Sequence, residues 1–314
     1  MAAARTNWTA VIAFVVIAFS LAWLLALPLW LGDGLASPFA TLVLTGMMLT
    51  PTIAALVVTF AFRAPAVARA RYLGLWPLRP AKRIIGLVIA AVFGPIALVL
   101  ASIAVAAAFG WVRLDLENFS AFAAVLDSLG AGEPPLPIGV LVALQLLTVP
   151  LGSILNLLPA LGEELGWRGW LLPALRPLGT WPALVLSGAI WGLWHSPAIL
   201  LGYNYGLTDL SGVALMTLAC IAWGVLFGWL RLRSGSVWPA AVGHASLNGA
   251  AGMILLLAHA DQSLDMALAG PVGVAGIIVV ALVTIVLVAT GQFRIQPELA
   301  APRGSVATDE AASA

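Results

Sequence analysis

One cysteine, three histidines and a charged fraction of 9% are what this 314-residue sequence has little of. With Cys220 alone, an intramolecular disulfide and a cysteine-built metal cluster are both excluded. So few charges exclude an ordinary soluble domain, in which about 25% of residues are charged. The net charge of +1 decides little, because in such a chain the placement of charge matters more than its sum. Nucleic acid is not expected as a partner. What fills the chain instead is apolar: 62% of residues are hydrophobic, against about 45 to 50% in soluble domains. The sequence reads as an all-α, polytopic membrane helix bundle, with membrane lipid as its first partner.

Runs of about twenty apolar residues suit a hydrocarbon core of roughly 30 Å. Eight are expected: Trp8 to Trp30, Pro38 to Phe62, Ile84 to Phe109, Ile154 to Leu175, Trp181 to Leu201, Gly212 to Leu230, Val237 to Ala258 and Gly270 to Gln292. The first run exceeds the roughly 7 to 15 residues of a signal-peptide core and is kept as a span. Lys and Arg collect in cytoplasmic loops. With the N-terminus inside, the inner segments hold Arg5, the cluster from Arg63 to Arg83, and Arg176, Arg231, Arg233, Arg294 and Arg303. The outer loops hold only Arg113, together with acids such as Asp33, Asp115, Glu133, Asp209 and Asp261. Both termini are therefore expected on the cytoplasmic side, in the plasma membrane if the host is bacterial. The helical domain is expected to cover residues 1–296, and residues 297–314 to form a disordered tail. The stretch Leu136 to Ser153 is apolar too. Joined to the fourth span it would make about 60 Å of straight helix; Pro150 and Pro159 each favour a break or kink, and three courses are open: along the outer interface, re-entrant, or the start of a strongly kinked fourth helix.

Three polar islands interrupt the apolar background. The first is Gly162-Glu163-Glu164-Leu165-Gly166-Trp167-Arg168-Gly169. A charged side chain at a bilayer centre costs roughly 2.5 to 3.5 kcal/mol, so such residues point to function. Arg168, one helical turn after Glu164, can neutralise it, which leaves Glu163 as the unpaired carboxylate. The second is Trp191-Gly192-Leu193-Trp194-His195-Ser196-Pro197, where Pro197 deprives the Leu193 carbonyl of its helical partner. The third is Gly243-His244-Ala245-Ser246-Leu247-Asn248, with an imidazole and a carboxamide four residues apart on one face. Counted from the inner ends of their helices, Glu163, His195 and Asn248 lie roughly 16 to 21 Å deep and His244 about 10 Å. All four can share one chamber. Taken singly, the pair Glu164 and Arg168 reads equally well as a structural ion pair, and each histidine as a packing residue. Cavity packing accounts for Trp167, Trp191 and Trp194, and interfacial anchoring for Trp8, Trp30, Trp181 and Trp238. His259 falls at the outer end of its helix, too far to join.

The pattern Glu163-Glu164-x-x-x-Arg168, then Trp191-x-x-x-His195, then His244-x-x-x-Asn248 resembles the three motifs of the CPBP family, which comprises type 2 CAAX prenyl proteases and bacteriocin-processing or immunity proteins. The resemblance covers about Leu151 to Gly252, taken as the protease core at about 151–252. It departs from the family at Trp191, where Phe is more usual. It implies an intramembrane endopeptidase acting on a peptide or membrane-protein substrate, either a prenylated CAAX-type tail or a secreted peptide. In that reading Glu163 is the general base on a water also held by His195, and His244 with Asn248 stabilises the oxyanion. Glu164, Arg168 and Trp191 support them. No cofactor is needed. The family has also been described as metalloproteases, and Glu163, His195 and His244 make a ligand set that Zn2+ uses in hydrolases. Two other functions use the same buried polar groups: a membrane transporter, and an immunity protein that binds a partner. The oligomeric state is not readable.

Overall fold

Inside a bilayer, backbone polar groups have no water to pair with, so a chain this apolar satisfies them within helices. The computed structural model describes residues 5–130 and 135–296, and over them the chain is all-α. Among the described residues the only β-type pairing is an isolated bridge between Leu114 and Ala258. Among the described residues seven helices are long and apolar enough to cross a membrane. They are α1 (Trp8–Leu31), α2 (Ala40–Phe60), α3 (Ala81–Ala108), α4 (Ile138–Leu155), α7 (Leu210–Ser234), α8 (Trp238–Leu257) and α9 (Met266–Ala289). Between α4 and α7 lie two shorter ones, α5 (Leu157–Glu164) and α6 (Thr180–Trp194). Leu42, Leu147 and Leu155 are among many large apolar side chains left exposed on the outside of the bundle, as lipid contact requires. The protein is an integral, multi-pass membrane protein.

Local chemistry sets the ends of these helices. The Asn7 side chain accepts from the Ala10 N–H at 3.1 Å to start α1, and Asp209 accepts from the Ser211 N–H at 2.9 Å to start α7. Gly235, at φ 72°, closes α7. The stretch left open in the sequence resolves into α4, which ends at Asn156. There the side-chain amide donates to the Gly152 carbonyl at 2.9 Å, and Pro159 falls in the first turn of α5, where its missing N–H costs nothing. The expected fourth and fifth spans are thus not single helices. From Ile154 the chain passes through the break at Asn156, α5, a π-helical segment over Leu165–Leu171 and a last turn over Leu172–Leu175. The fifth breaks at His195, before the short turn Ser196–Ile199. Pro197 does release the Leu193 carbonyl, but the Ser196 hydroxyl takes its place as donor.

Hydrogen bonds between loops divide the molecule into two faces. On one, Arg113 meets His259 and Gln262, Tyr205 donates to the Val272 carbonyl, and Trp30 donates to the Pro197 carbonyl. On the other, Arg176 meets Gln296, Ser236 donates to the Gly74 carbonyl, and Trp170 donates to the Ala64 carbonyl. Arg231, fully buried at this second face, donates through Nε to the Arg168 carbonyl at 3.1 Å and through Nη2 to the Tyr72 carbonyl at 2.7 Å. Gly74 has to be glycine there, at φ 74° with a Cβ position 2.7 Å from the Arg231 Cζ. This clamp fixes the π-helical segment that carries Arg168. The tail expected over residues 297–314, Arg303 and Glu133 lie outside the described residues.

Candidate active site

Adjacent residues on a helix point about a quarter-turn apart, so Glu163 and Glu164 face different neighbours. Glu163 lines a cavity of about 360 Å³. Its Oε2 accepts from the indole N–H of Trp191 at 2.6 Å and from that of Trp167, one turn along, at 3.2 Å. Among the described residues no protein group hydrogen-bonds its Oε1 and no cation pairs with it. Glu164 points away from the cavity into full burial. Its Oε1 accepts from Arg168 Nη1 at 2.6 Å and from His244 Nδ1 at 3.0 Å. The leftover carboxylate is Glu163, in the place the i,i+4 pairing implies.

Arg168 is held by more than this ion pair. Its guanidinium carbon lies 4.3 Å from the Trp191 ring centroid and 5.5 Å from that of Phe227, while Nε and Nη2 find no hydrogen-bond acceptor. Stacking of this kind contributes about 2 kcal/mol when the cation is desolvated. Trp191 therefore joins the two carboxylates: its N–H holds Glu163 and its face carries the cation that neutralises Glu164.

His195 caps the end of α6, where the helix breaks. Its Nδ1 lies 2.9 Å from the Trp191 carbonyl. A carbonyl only accepts, so Nδ1 carries the proton and Nε2 of the neutral ring is the lone-pair nitrogen. The Trp194 ring packs edge-on against the imidazole at 4.8 Å, and Trp194 itself donates to the Thr50 hydroxyl at 3.1 Å. On α8, His244 is stacked on Phe227 at 5.6 Å with its Nδ1 taken by Glu164, and Asn248 lies one turn further on. Glu163, Trp191, His195, His244 and Asn248 all line the one cavity; Glu164 and Arg168 stand behind it. His259 does not join, being occupied by Arg113 at the loop face.

Reading Trp167, Trp191 and Trp194 as cavity packing needs correcting, since all three donate hydrogen bonds within the site and two of them hold Glu163. A charge left unpaired among tryptophans was the signal for those two. The contact between Glu164 and His244, 80 residues apart, and the cavity residues Tyr203, Asn204 and Cys220 had no signal in the sequence. Cys220 Sγ lies 3.8 Å from His195 Nδ1. Among the described residues no three His, Cys, Asp or Glu side chains form a cluster able to hold a metal ion. The bonds on Glu163 Oε2, His195 Nδ1 and His244 Nδ1 leave Glu163 Oε1 and the two Nε2 atoms as the atoms of these side chains that would face a metal.

A multi-helix membrane protein that keeps a carboxylate, two imidazoles and a carboxamide around one buried cavity belongs to the class of intramembrane proteins built around a polar site. Comparison narrows this further. Residues 145–250 match the family model described as Type II CAAX prenyl endopeptidase Rce1-like. The chain is also similar to the protein named CAAX prenyl protease 2 of Methanococcus maripaludis, at 33% identity over 101 residues. That similarity covers 30% of this chain and 37% of the relative. The chain thus spans little over a third of the length of the curated relative it matches.

Proposed function

We propose that the cavity is the active site of an intramembrane endopeptidase, with its catalytic core at about residues 151–252. The observation that carries this reading is the environment of Glu163: a buried carboxylate with indole donors on one oxygen and no cation, lining a cavity shared with His195, His244 and Asn248. A structural ion pair needs none of this, and Glu164 with Arg168 already supplies one.

Each group then has a definite task. Water in the cavity donates one hydrogen to Glu163 Oε1 and the other to the lone pair of His195 Nε2. Glu163 takes the first proton as the water oxygen attacks the scissile carbonyl carbon. The oxyanion receives hydrogen bonds from the Asn248 amide and from His244 Nε2–H. Donation from Nε2 while Nδ1 bonds Glu164 requires the doubly protonated ring, and Glu164 is its counter-charge as well as its support. When the C–N bond breaks, Glu163 returns the proton to the leaving nitrogen. Glu164 and Arg168 act only through His244 and Trp191. No step passes through a metal.

The name of the archaeal relative makes prenylated CAAX-type peptides a substrate class to include, beside unmodified peptides. The test is cleavage of a quenched fluorescent peptide library containing both kinds by detergent-purified protein, with His195→Ala in parallel. Cleavage that His195→Ala abolishes and a chelator leaves intact supports the reading. Activity lost to the chelator and restored by zinc would replace the metal-free chemistry. No cleavage of any member, with an unprocessed partner co-purifying, would replace catalysis by binding.

A further inference from the structure

The cavity is not placed symmetrically between the two faces of the bundle. On α2 it is lined from Thr41 to Met48, on α6 and just beyond it from Trp191 to Ala198, and on α7 from Met216 to Trp223. On α2 and α6 these stretches lie at the end nearest the face that carries Arg113, Tyr205 and His259, on α7 the lining runs from that end to just past the middle, and on α8 it runs from His244 to Ala251 across the middle. Pro271 and Val272, in the loop before α9, line it too. None of the lining residues comes from the opposite loops, 61–80, 176–179 or 235–237. Its exposed lining residues are Thr41, Thr45 and Tyr203, which frame the way in, while Glu163 at the inner end is 2% exposed.

The same two faces differ sharply in charge. Of the thirteen Lys and Arg among the described residues, eleven stand on the face away from the mouth; the exceptions are Arg113 and the buried Arg168. The mouth face carries that single arginine and acids that include Asp33, Asp209 and Asp265. Basic residues in short loops mark the cytoplasmic side.

We infer that the chamber opens to the extracytoplasmic side, so that its substrate is an exported polypeptide segment and not a chain end presented from the cytoplasm. The substrate class rests on the peptidase reading; the side does not. Two arms keep those claims apart. In a Cys220→Ala background, Thr208→Cys and Ser263→Cys on the mouth face and Ala66→Cys on the other are treated with a membrane-impermeant maleimide in intact spheroplasts. Full labelling at 208 and 263, with labelling at 66 only after permeabilisation, is expected. The reverse pattern, or equal labelling of both faces before permeabilisation, overturns the inference. In the second arm, wild-type protein is reconstituted into liposomes, the orientation is scored by the same maleimide on the three variants, and the quenched peptide library is added outside. Cleavage proportional to the fraction with the mouth face outward is expected. Cleavage that follows the other face, or that appears in detergent and in neither orientation of the liposomes, refutes access from this side. A library uncleaved even in detergent counts against the peptidase and leaves the labelling result to decide the side.

Discussion

Trp191→Phe isolates one hydrogen bond at the centre of the site. Phenylalanine keeps an aromatic face under Arg168, where the guanidinium carbon lies 4.3 Å from the ring centroid, but removes the N–H that reaches Glu163 at 2.6 Å. A hydrogen bond to a charged group contributes about 1.5 to 3 kcal/mol. At about 1.4 kcal/mol per decade of rate, its loss amounts to roughly a 10- to 150-fold drop. Trp167 still holds the same oxygen at 3.2 Å, so the lower end, about tenfold in kcat, is expected. KM should hold, because the indole N–H is spent on the carboxylate. The assay is steady-state cleavage of the best library peptide by wild type, Trp191→Phe, Trp191→Leu and Trp167→Phe, with a melting curve for each. Trp191→Leu should lose both activity and stability, since Arg168 then loses its aromatic partner. If Trp191→Phe stays within twofold of wild type in kcat while melting normally, the indole is packing only and the account of how Glu163 is positioned is wrong.

Three other perturbations probe the supports. Glu164→Gln leaves Arg168 buried beside a neutral group and His244 without its anchor; it should cost about 3 to 5 kcal/mol by denaturation in detergent. Glu164→Gln with Arg168→Met should recover much of that stability and none of the activity, and a double variant as unstable as the single one would contradict the pairing. Gly192→Ala places a Cβ against the Thr217 Cα where α6 crosses α7; overpacking of about 1 to 3 kcal/mol and displaced His195 should lower both melting temperature and kcat, and wild-type behaviour would show the crossing to be looser than described. In the loop before the short helix Ser120–Ser128, the Asp115 carboxylate is held below the usual range by a hydrogen bond from the Ser120 side chain and by backbone N–H groups of Asn118, Ser120 and Glu117, against the opposing effect of burial. Because the folded group is the stronger acid, its contribution is complete above the unfolded pKa of about 3.9 and is lost as pH falls through the lower folded value. An NMR titration of the Asp115 carboxyl in micelles should therefore show a midpoint below that of a model peptide, and a midpoint at or above it would refute the cap.

Much of this arrangement is written locally. Apolar runs end at Asn7, Asp209 and Gly235, which are capping residues, and the i,i+4 spacing from Glu164 to Arg168 pairs them and singles out Glu163. Helical periodicity also sets His244 and Asn248 on one face. What lies between helices is another matter. The bond from Trp191 to Glu163 spans 28 residues and that from His244 to Glu164 spans 80; both depend on how helices are rotated about their axes, which an almost uniformly apolar surface leaves unmarked. A break somewhere between Leu136 and Leu175 was legible as a surplus of length and in Pro159, but Pro150 lies inside the unbroken α4. The π-helical stretch from Leu165 to Leu171 was not legible; the contact on its Arg168 carbonyl comes from Arg231, 63 residues along the chain. The fifth run read as unbroken because its residues are apolar, although His195 ends its helix.

The measurement closest to the central claim is Glu163→Gln, assayed on a peptide that wild type cleaves, with its melting temperature taken in the same detergent. Glutamine keeps the side-chain length and an oxygen for the two indoles but cannot take a proton from water. The expected result is loss of cleavage by at least the 10²- to 10⁴-fold that a general base contributes, with the fold intact. Cleavage retained within tenfold of wild type by a folded Glu163→Gln protein would contradict the assignment and remove Glu163 from the chemistry.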